Sequence, residues 1–152
     1  MTAIATVQNH IKFTFPAMSE NESLARTVVA AFVMSLDPML DELNDLKTAV
    51  SEAVTNAIIH GYDERNSGMI DLEAELDGRT VFIRITDYGR GIHDLWQARQ
   101  PMYTSKPDLE RPGMGFTMME HLMDEVTVQS VAGRGTTIGL RKTISPVDMR
   151  WH

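Results

Sequence analysis

The fold is decided by residues 46–62, which read Leu-Lys-Thr-Ala-Val-Ser-Glu-Ala-Val-Thr-Asn-Ala-Ile-Ile-His-Gly-Tyr. The apolar residues of this stretch recur at helical spacing, and together with the preceding residues they predict a long helix over 40–60. Two polar residues, Glu52 and Asn56, lie four positions apart and therefore point from the same helix face. Such a pair either faces solvent on an amphipathic helix or places a carboxylate and an amide at one site.

Composition narrows the class of protein. The chain has 152 residues with 43% hydrophobic and 23% charged residues, which predicts a single domain with a core over about 10–142. The tail, residues 143–152, has no pattern and is predicted to be loose. The absence of cysteine excludes disulfides and favours a cytoplasmic protein, and no apolar run is long enough to span a membrane. The net charge of −7 argues against direct nucleic-acid binding and permits docking of a basic protein partner.

The remaining pattern predicts the other elements. A strand over 7–15 is followed by a helix over 24–36, which Asp37-Pro38 terminates. Alternating residues predict a hairpin of strands 69–76 and 81–87 around the Asp77-Gly78 turn, and a short helix over 116–123 precedes strands 125–130 and 136–141. Residues 88–114 lack periodicity, which is typical of lids and binding loops. This order predicts an α+β two-layer sandwich, with a mixed, mostly antiparallel sheet covered on one face by helices.

Three further motifs contain residue types that suit a ligand site. Residues 87–91 read Asp-Tyr-Gly-Arg-Gly at a strand end, where Asp accepts a hydrogen bond from an amine and glycines permit close backbone approach. Residues 113–116, Gly-Met-Gly-Phe, open a helix and present backbone N–H groups suited to phosphate. Residues 135–137, Gly-Thr-Thr, start the last strand with two hydroxyls. Each motif alone is also typical of an ordinary turn or hinge.

In this order the motifs resemble the Bergerat-type ATP-binding fold that DNA gyrase, the ninety-kilodalton heat-shock chaperone, histidine kinases and mismatch-repair ATPases share. The resemblance is narrower over residues 19–26, 46–62, 98–101 and 111–116, which are similar to the sporulation anti-sigma-F factors. Those proteins are small serine kinases of endospore-forming bacteria. The resemblance extends over about residues 13–140.

The resemblance implies a role for each matching residue. Asn56 would bind Mg²⁺, Glu52 would be the general base for an attacking serine, and Asp87 would read the adenine amino group of ATP or ADP. Thr136 or Thr137 would support adenine through water. The glycines that would let the backbone approach the nucleotide are Gly89, Gly91, Gly113 and Gly115.

The resemblance also implies partners. Glu22 and Arg26 match a docking surface, and the protein would be a homodimer that holds the sporulation sigma factor sigma-F when ATP is bound. Its substrate would be a serine of the anti-anti-sigma factor. In the loop of residues 88–114, Lys106 and Arg111 are candidate γ-phosphate contacts, although exposed basic loop residues are usually only solvated.

Two alternatives stay open. One is a general-stress anti-sigma kinase, and the other is a non-catalytic, nucleotide-gated sigma-binding module. The sequence departs from the sporulation pattern at Tyr88, Arg90 and Pro112.

Overall fold

A computed structural model describes residues 8–62, 68–89 and 115–149. Helices and strands alternate in blocks, as the sequence predicts. In chain order the elements are β1 (Gln8–Pro16), α1 (Glu20–Val33) with a 3-10 turn (Met34–Leu36), α2 (Leu40–Asn56) with a π-helical turn (Ala57–Gly61), β2 (Met69–Asp77), β3 (Thr80–Asp87), α3 (Gly115–Leu122), β4 (Glu125–Val131), β5 (Gly135–Thr143) and a final 3-10 turn (Val147–Met149).

The strands form one five-stranded sheet in the order β1-β2-β3-β5-β4. Every pairing among the described strands is antiparallel. Alternate residues of the strands are buried against the helices, as Ile70, Leu72, Ala74 and Leu76 of β2 show. The other face of the sheet, called the open face below, carries the exposed residues of the same strands. The predicted α+β two-layer sandwich is therefore confirmed.

The first helix begins four residues earlier than the sequence pattern indicated. The sequence pattern predicts a helix over 24–36, and in the structure residues 20–23 form its first turn. Two carboxylates, Glu20 and Glu22, lie in that turn, where they interact favourably with the positive end of the helix dipole. The end was predicted correctly, because the chain leaves the 3-10 turn at Asp37, directly before Pro38.

The packed part of the chain also extends past residue 142. Ile144 is fully buried, and Arg79 donates hydrogen bonds from its guanidinium to the carbonyl oxygens of Leu36, Ile144 and Ser145. The Ser145 N–H donates to Glu42 Oε2 at 2.8 Å. These bonds hold the first residues of the predicted loose tail against the junction of α1 and α2.

Candidate functional site

The site begins at the C-terminal end of α2. The α-helical hydrogen bonding stops at Asn56, and the next five residues form a wider π-helical turn, which is a feature that recurs at functional sites. Asn56 is 6% exposed, which makes it one of the few buried polar residues among those described. Glu52 is partly buried one turn earlier on the same face. A nearly buried amide one helical turn from a carboxylate suits a hard cation or a phosphate-bearing ligand.

Asp87, the last residue of β3, is the second component. It is 3% exposed and lies opposite Thr136 in the β3–β5 register. Burial raises the pKa of its carboxyl group from 3.8 to about 6, and hydrogen bonds from the backbone N–H groups of Gly89 and Thr136 oppose that shift. The Gly89 N–H donates to Oδ1 at 3.0 Å. A buried carboxylate oriented in this way can accept a hydrogen bond from the amino group of a ligand.

Three glycines allow the helix end and two strands to meet around Asp87. A Cβ on Gly61 would lie 2.7 Å from the Asp87 Cγ. A Cβ on Gly89 would overlap the carbonyl oxygen of Gly61, and one on Gly135 would overlap the Asp87 carbonyl oxygen. Gly135 also has a φ of +118°, which favours glycine. The glycines thus place Asp87 against the end of the helix that carries Asn56.

Part of this arrangement has no signal in the sequence. The resemblance predicts that Gly89 lets the backbone approach a nucleotide. In the structure, residue 89 must also be glycine because a Cβ there would overlap the Gly61 carbonyl oxygen. Gly61 directly follows the helix predicted over 40–60, and Gly135 precedes the last predicted strand. The closeness of both to Asp87 depends on tertiary packing, so no local signal in the sequence could have identified it.

The structure separates the two threonines that the sequence left as alternatives. Thr136 is 4% exposed on the helix-covered face, and its Oγ1 lies 2.9 Å from Ser130 Oγ. Thr137 points to the open face, where its Oγ1 lies 3.1 Å from Thr86 Oγ1. Because Asp87 shares a face with Thr136, the structure favours Thr136 as the ligand-facing hydroxyl.

The other predicted site residues lie in different places. Gly115 is the first residue of α3, which packs on α2. Glu22 and Arg26 form an i,i+4 ion pair of 3.4 Å on α1. The remaining four lie outside the described residues, and they are Gly91, Lys106, Arg111 and Gly113.

A groove of about 310 Å³ lies on the open face, over Gly139. Its walls include Phe82 and Thr127, and two arginines border it. Arg84 pairs with Glu73 at 3.2 Å, and Arg141 pairs with Glu125 at 3.8 Å. Carboxylates therefore lie beside both arginines, which reduces the positive potential that a phosphate would meet in this groove.

The described ranges contain neither a cluster of metal-binding side chains nor a membrane-spanning helix. No group of three or more His, Cys, Asp or Glu side chains in residues 8–62, 68–89 and 115–149 could hold a metal ion. Mg²⁺ commonly takes most of its ligands from phosphates and water, so a cation at Asn56 does not require such a cluster. No helix in the same ranges is long and apolar enough to cross a membrane.

Comparison with known proteins agrees with this geometry. The family model named Histidine kinase-like ATPase domain matches residues 15–142. The Anti-sigma F factor of Anoxybacillus flavithermus is 52% identical over 139 residues, which cover 91% of this chain and 95% of that protein. The Anti-sigma F factor of Clostridium beijerinckii is 53% identical over 140 residues, with 92% and 98% covered.

A solved structure supports the fold. The crystal structure of the RsbU and RsbW domains of a Mycobacterium tuberculosis protein superposes with a TM-score of 0.64 at 23% identity. The superposition covers 91% of this chain, which spans about a third of that protein, at 32%. The fold-level resemblance that the motifs predicted is therefore confirmed, and the chain belongs to the histidine kinase-like ATPase domain family, with the anti-sigma F factors among its relatives.

Proposed function

We propose that this chain is an anti-sigma factor that binds the sporulation sigma factor sigma-F. As an ATP-dependent protein serine kinase, it also phosphorylates and inactivates the anti-anti-sigma factor. The observation that carries the kinase activity is the joining of the α2 end, with Glu52 and Asn56, to the buried carboxylate of Asp87. Relatives named Anti-sigma F factor, at 52–53% identity over nine-tenths of the chain, support the anti-sigma activity.

The nucleotide would be ATP or ADP. Asp87 accepts a hydrogen bond from the adenine amino group, because its carboxylate is buried, fixed by Gly89 and placed at a strand end. The Thr136 hydroxyl supports the same base from the adjacent strand. Among residues outside the described ranges, Lys106 and Arg111 would contact the phosphates, and Gly91 and Gly113 would let the backbone approach the nucleotide. Gly115, at the start of α3, would do the same near the phosphates.

The Asn56 amide fits Mg²⁺, since it lies nearly buried one helical turn from Glu52 and supplies an oxygen of the kind that hard cations prefer. When bound with the nucleotide, Mg²⁺ supplies charge neutralisation to the β- and γ-phosphates. The contribution of the protein is to hold that side chain rigidly. The neighbouring core residues Ala53, Val54 and Ala57 are nearly or fully buried and fix the helix on which Asn56 lies.

Glu52 acts as the general base. The serine hydroxyl of the anti-anti-sigma factor gives its proton to the Glu52 carboxylate as the serine oxygen bonds to the γ-phosphorus. The bond between that phosphorus and the β–γ bridging oxygen breaks, and ADP leaves. A well-placed base contributes ~10²–10⁴-fold to the rate, and the remainder of the acceleration comes from positioning and charge neutralisation.

Partner binding is proposed for α1. Glu22 and Arg26 lie one turn apart on it, and their ion pair leaves both side chains partly accessible to solvent. In this proposal a cytoplasmic homodimer presents that surface to sigma-F in the ATP-bound state. The unphosphorylated anti-anti-sigma factor then displaces sigma-F.

The kinase proposal is tested with Glu52→Gln and a matched control on the same helix. The control is Ser51→Ala, because the Ser51 hydroxyl is buried and makes no hydrogen bond to the described residues. With labelled ATP and candidate anti-anti-sigma proteins, Glu52→Gln should bind ATP normally and transfer no phosphate. Ser51→Ala should transfer phosphate at close to the wild-type rate. Transfer by Glu52→Gln at the wild-type rate would rule out the general-base assignment.

The same assay separates the alternatives. ATP binding with sigma retention but no phosphoserine on any partner would indicate the non-catalytic, nucleotide-gated module. Recovery of only the stress-response sigma factor in a pull-down would indicate the general-stress kinase. The proposal requires that sigma-F be retained with ATP and that phosphoserine form on its own anti-anti-sigma partner.

A further inference from the structure

The Tyr62 hydroxyl joins the ends of two strands. It donates a hydrogen bond to the Met69 carbonyl oxygen at 2.8 Å and accepts one from the Tyr88 N–H at 2.6 Å. The last register pair of β2 and β3 is Ile70 with Asp87, so Met69 and Tyr88 would form the next pair. The Tyr62 hydroxyl therefore bridges the backbone groups of these two residues and extends the hydrogen bonding between the strands by one residue pair.

Packing fixes the ring that carries this hydroxyl. A Cβ on Gly68 would overlap the Tyr62 ring, so the ring can lie against the backbone only because residue 68 is glycine. Gly68 is itself held by the Ala17 N–H, which donates to its carbonyl oxygen at 2.9 Å. The ring therefore has little freedom to move its hydroxyl away from the two strand ends.

The bridge is one peptide away from the contact that orients Asp87. The Gly89 N–H donates a hydrogen bond to Asp87 Oδ1 at 3.0 Å. The N–H of the preceding residue, Tyr88, donates to the Tyr62 hydroxyl. Fixing residue 88 therefore limits the directions in which the Gly89 N–H can point. Gly61, directly before Tyr62, touches the same carboxylate from the helix side.

We propose that Tyr62 is a positioning residue that sets base specificity, because its hydroxyl holds the Tyr88–Gly89 backbone and thereby aims the Asp87 carboxylate at the base. The proposal rests on the proposed function of the site as an adenine-nucleotide site. Tyr62 itself does not touch the nucleotide. A well-placed Asp87 carboxylate accepts a hydrogen bond from an amino group of the base and repels a carbonyl oxygen at the same position. Tyr62 therefore affects how strongly the site prefers a base with an amino group there.

The adjacent tyrosine provides a matched control. The Tyr88 hydroxyl donates to Asp71 Oδ2 at 2.5 Å, and Thr14 Oγ1 donates to the other oxygen of that carboxylate at 2.6 Å. Asp71 and Thr14 project on the open face, away from Asp87. Tyr88→Phe therefore removes a tyrosine hydroxyl close to the site but keeps the hydrogen bond from the backbone N–H of residue 88 to the Tyr62 hydroxyl.

The test measures dissociation constants for ADP and GDP in wild-type protein, Tyr62→Phe and Tyr88→Phe, at a pH above the Asp87 pKa. We expect Tyr62→Phe to lose about tenfold in ADP affinity, because the freed Tyr88–Gly89 backbone and the Asp87 carboxylate would have to be ordered when the nucleotide binds. Its GDP affinity should change less, so the preference for ADP falls. Tyr88→Phe should stay within about twofold of wild type for both nucleotides, as expected of an uninvolved surface change.

A general loss of stability would weaken the binding of ADP and GDP alike, because the two nucleotides share their ribose and phosphates. It would therefore leave the preference for ADP unchanged. A folded Tyr62→Phe protein with the wild-type ADP preference would overturn the proposal. Gly68→Ala tests the same proposal without changing Tyr62, because the added Cβ would displace the Tyr62 ring. This variant should also lower the preference for ADP over GDP. If wild-type protein showed no preference for ADP, the proposed function of the site would fail instead, so the two failures are distinguishable.

Discussion

Replacing Asp87 by Asn should stabilise the nucleotide-free protein at neutral pH while removing its ability to recognise adenine. The carboxyl group has a pKa of about 6 in the folded protein against an ordinary value of 3.8, because burial disfavours its charged form. The folded state therefore holds the proton more tightly than the unfolded chain. The resulting stability is fully present below about pH 4 and is lost as the pH rises through about 6.

The size of the effect follows from the pKa difference. A difference of about two pH units corresponds to about 3 kcal/mol of free energy of unfolding, which wild-type protein has lost by about pH 8. Asn carries no charge, and its oxygen can still accept the Gly89 N–H. Allowing for an imperfectly placed amide, we expect Asp87→Asn to gain about 1–3 kcal/mol near pH 8, or roughly 2–12 °C in melting temperature.

The assay is urea unfolding of wild-type and Asp87→Asn protein between about pH 4 and pH 8, without nucleotide. The stability difference should be near zero at the acid end and should grow through about pH 6. ADP affinity of the variant, measured separately, should fall by at least tenfold, which is about 1.4 kcal/mol. A variant less stable than wild type at about pH 8, or a difference independent of pH, would refute the reasoning.

Three further predictions concern other parts of the described structure. Arg26→Ala should weaken sigma-F binding several-fold in a titration with ADP affinity unchanged, and intact sigma-F binding would place the docking surface elsewhere. Thr136→Val should lower ADP affinity by calorimetry and Thr137→Val should not, because their hydroxyls lie on opposite faces of the sheet; equal effects would contradict that separation. Arg79→Met should lower the free energy of unfolding by about 2–4 kcal/mol, since three backbone carbonyls lose a charged donor. Urea unfolding curves identical to those of wild type would show that these hydrogen bonds do not stabilise the fold.

The sequence pattern predicted most of the fold because each element carries a local signal. The alternation of β2 and β3 and the Asp77-Gly78 turn fixed a hairpin, and the turn glycine has the positive φ, +61°, that such turns require. The early start of α1 was missed because its first turn is entirely polar, so no apolar residue marks it. The π-helical turn after Asn56 also lacked a signal, since a helix of Ala and Ile is expected to continue regularly.

The candidate site was predictable as a set of residue types but not as an arrangement. Glu52 and Asn56 follow from helical spacing alone, and the structure places both at the helix end that meets β3. The choice between Thr136 and Thr137 required the register of β3 with β5, which no local pattern specifies. The Tyr62 bridge joins residues that are 26 positions apart, so it appears only when the strands and the helix end are assembled.

The most direct test of the proposed nucleotide site is a titration of isotope-labelled protein with Mg²⁺ and ADP, in which amide chemical shifts are measured. The largest changes should occur at Asn56, Asp87, Gly89 and Thr136, with smaller changes at residues on the open face. Changes centred instead on the groove around Phe82 and Gly139 would place the nucleotide on the wrong side of the sheet and contradict the assignment.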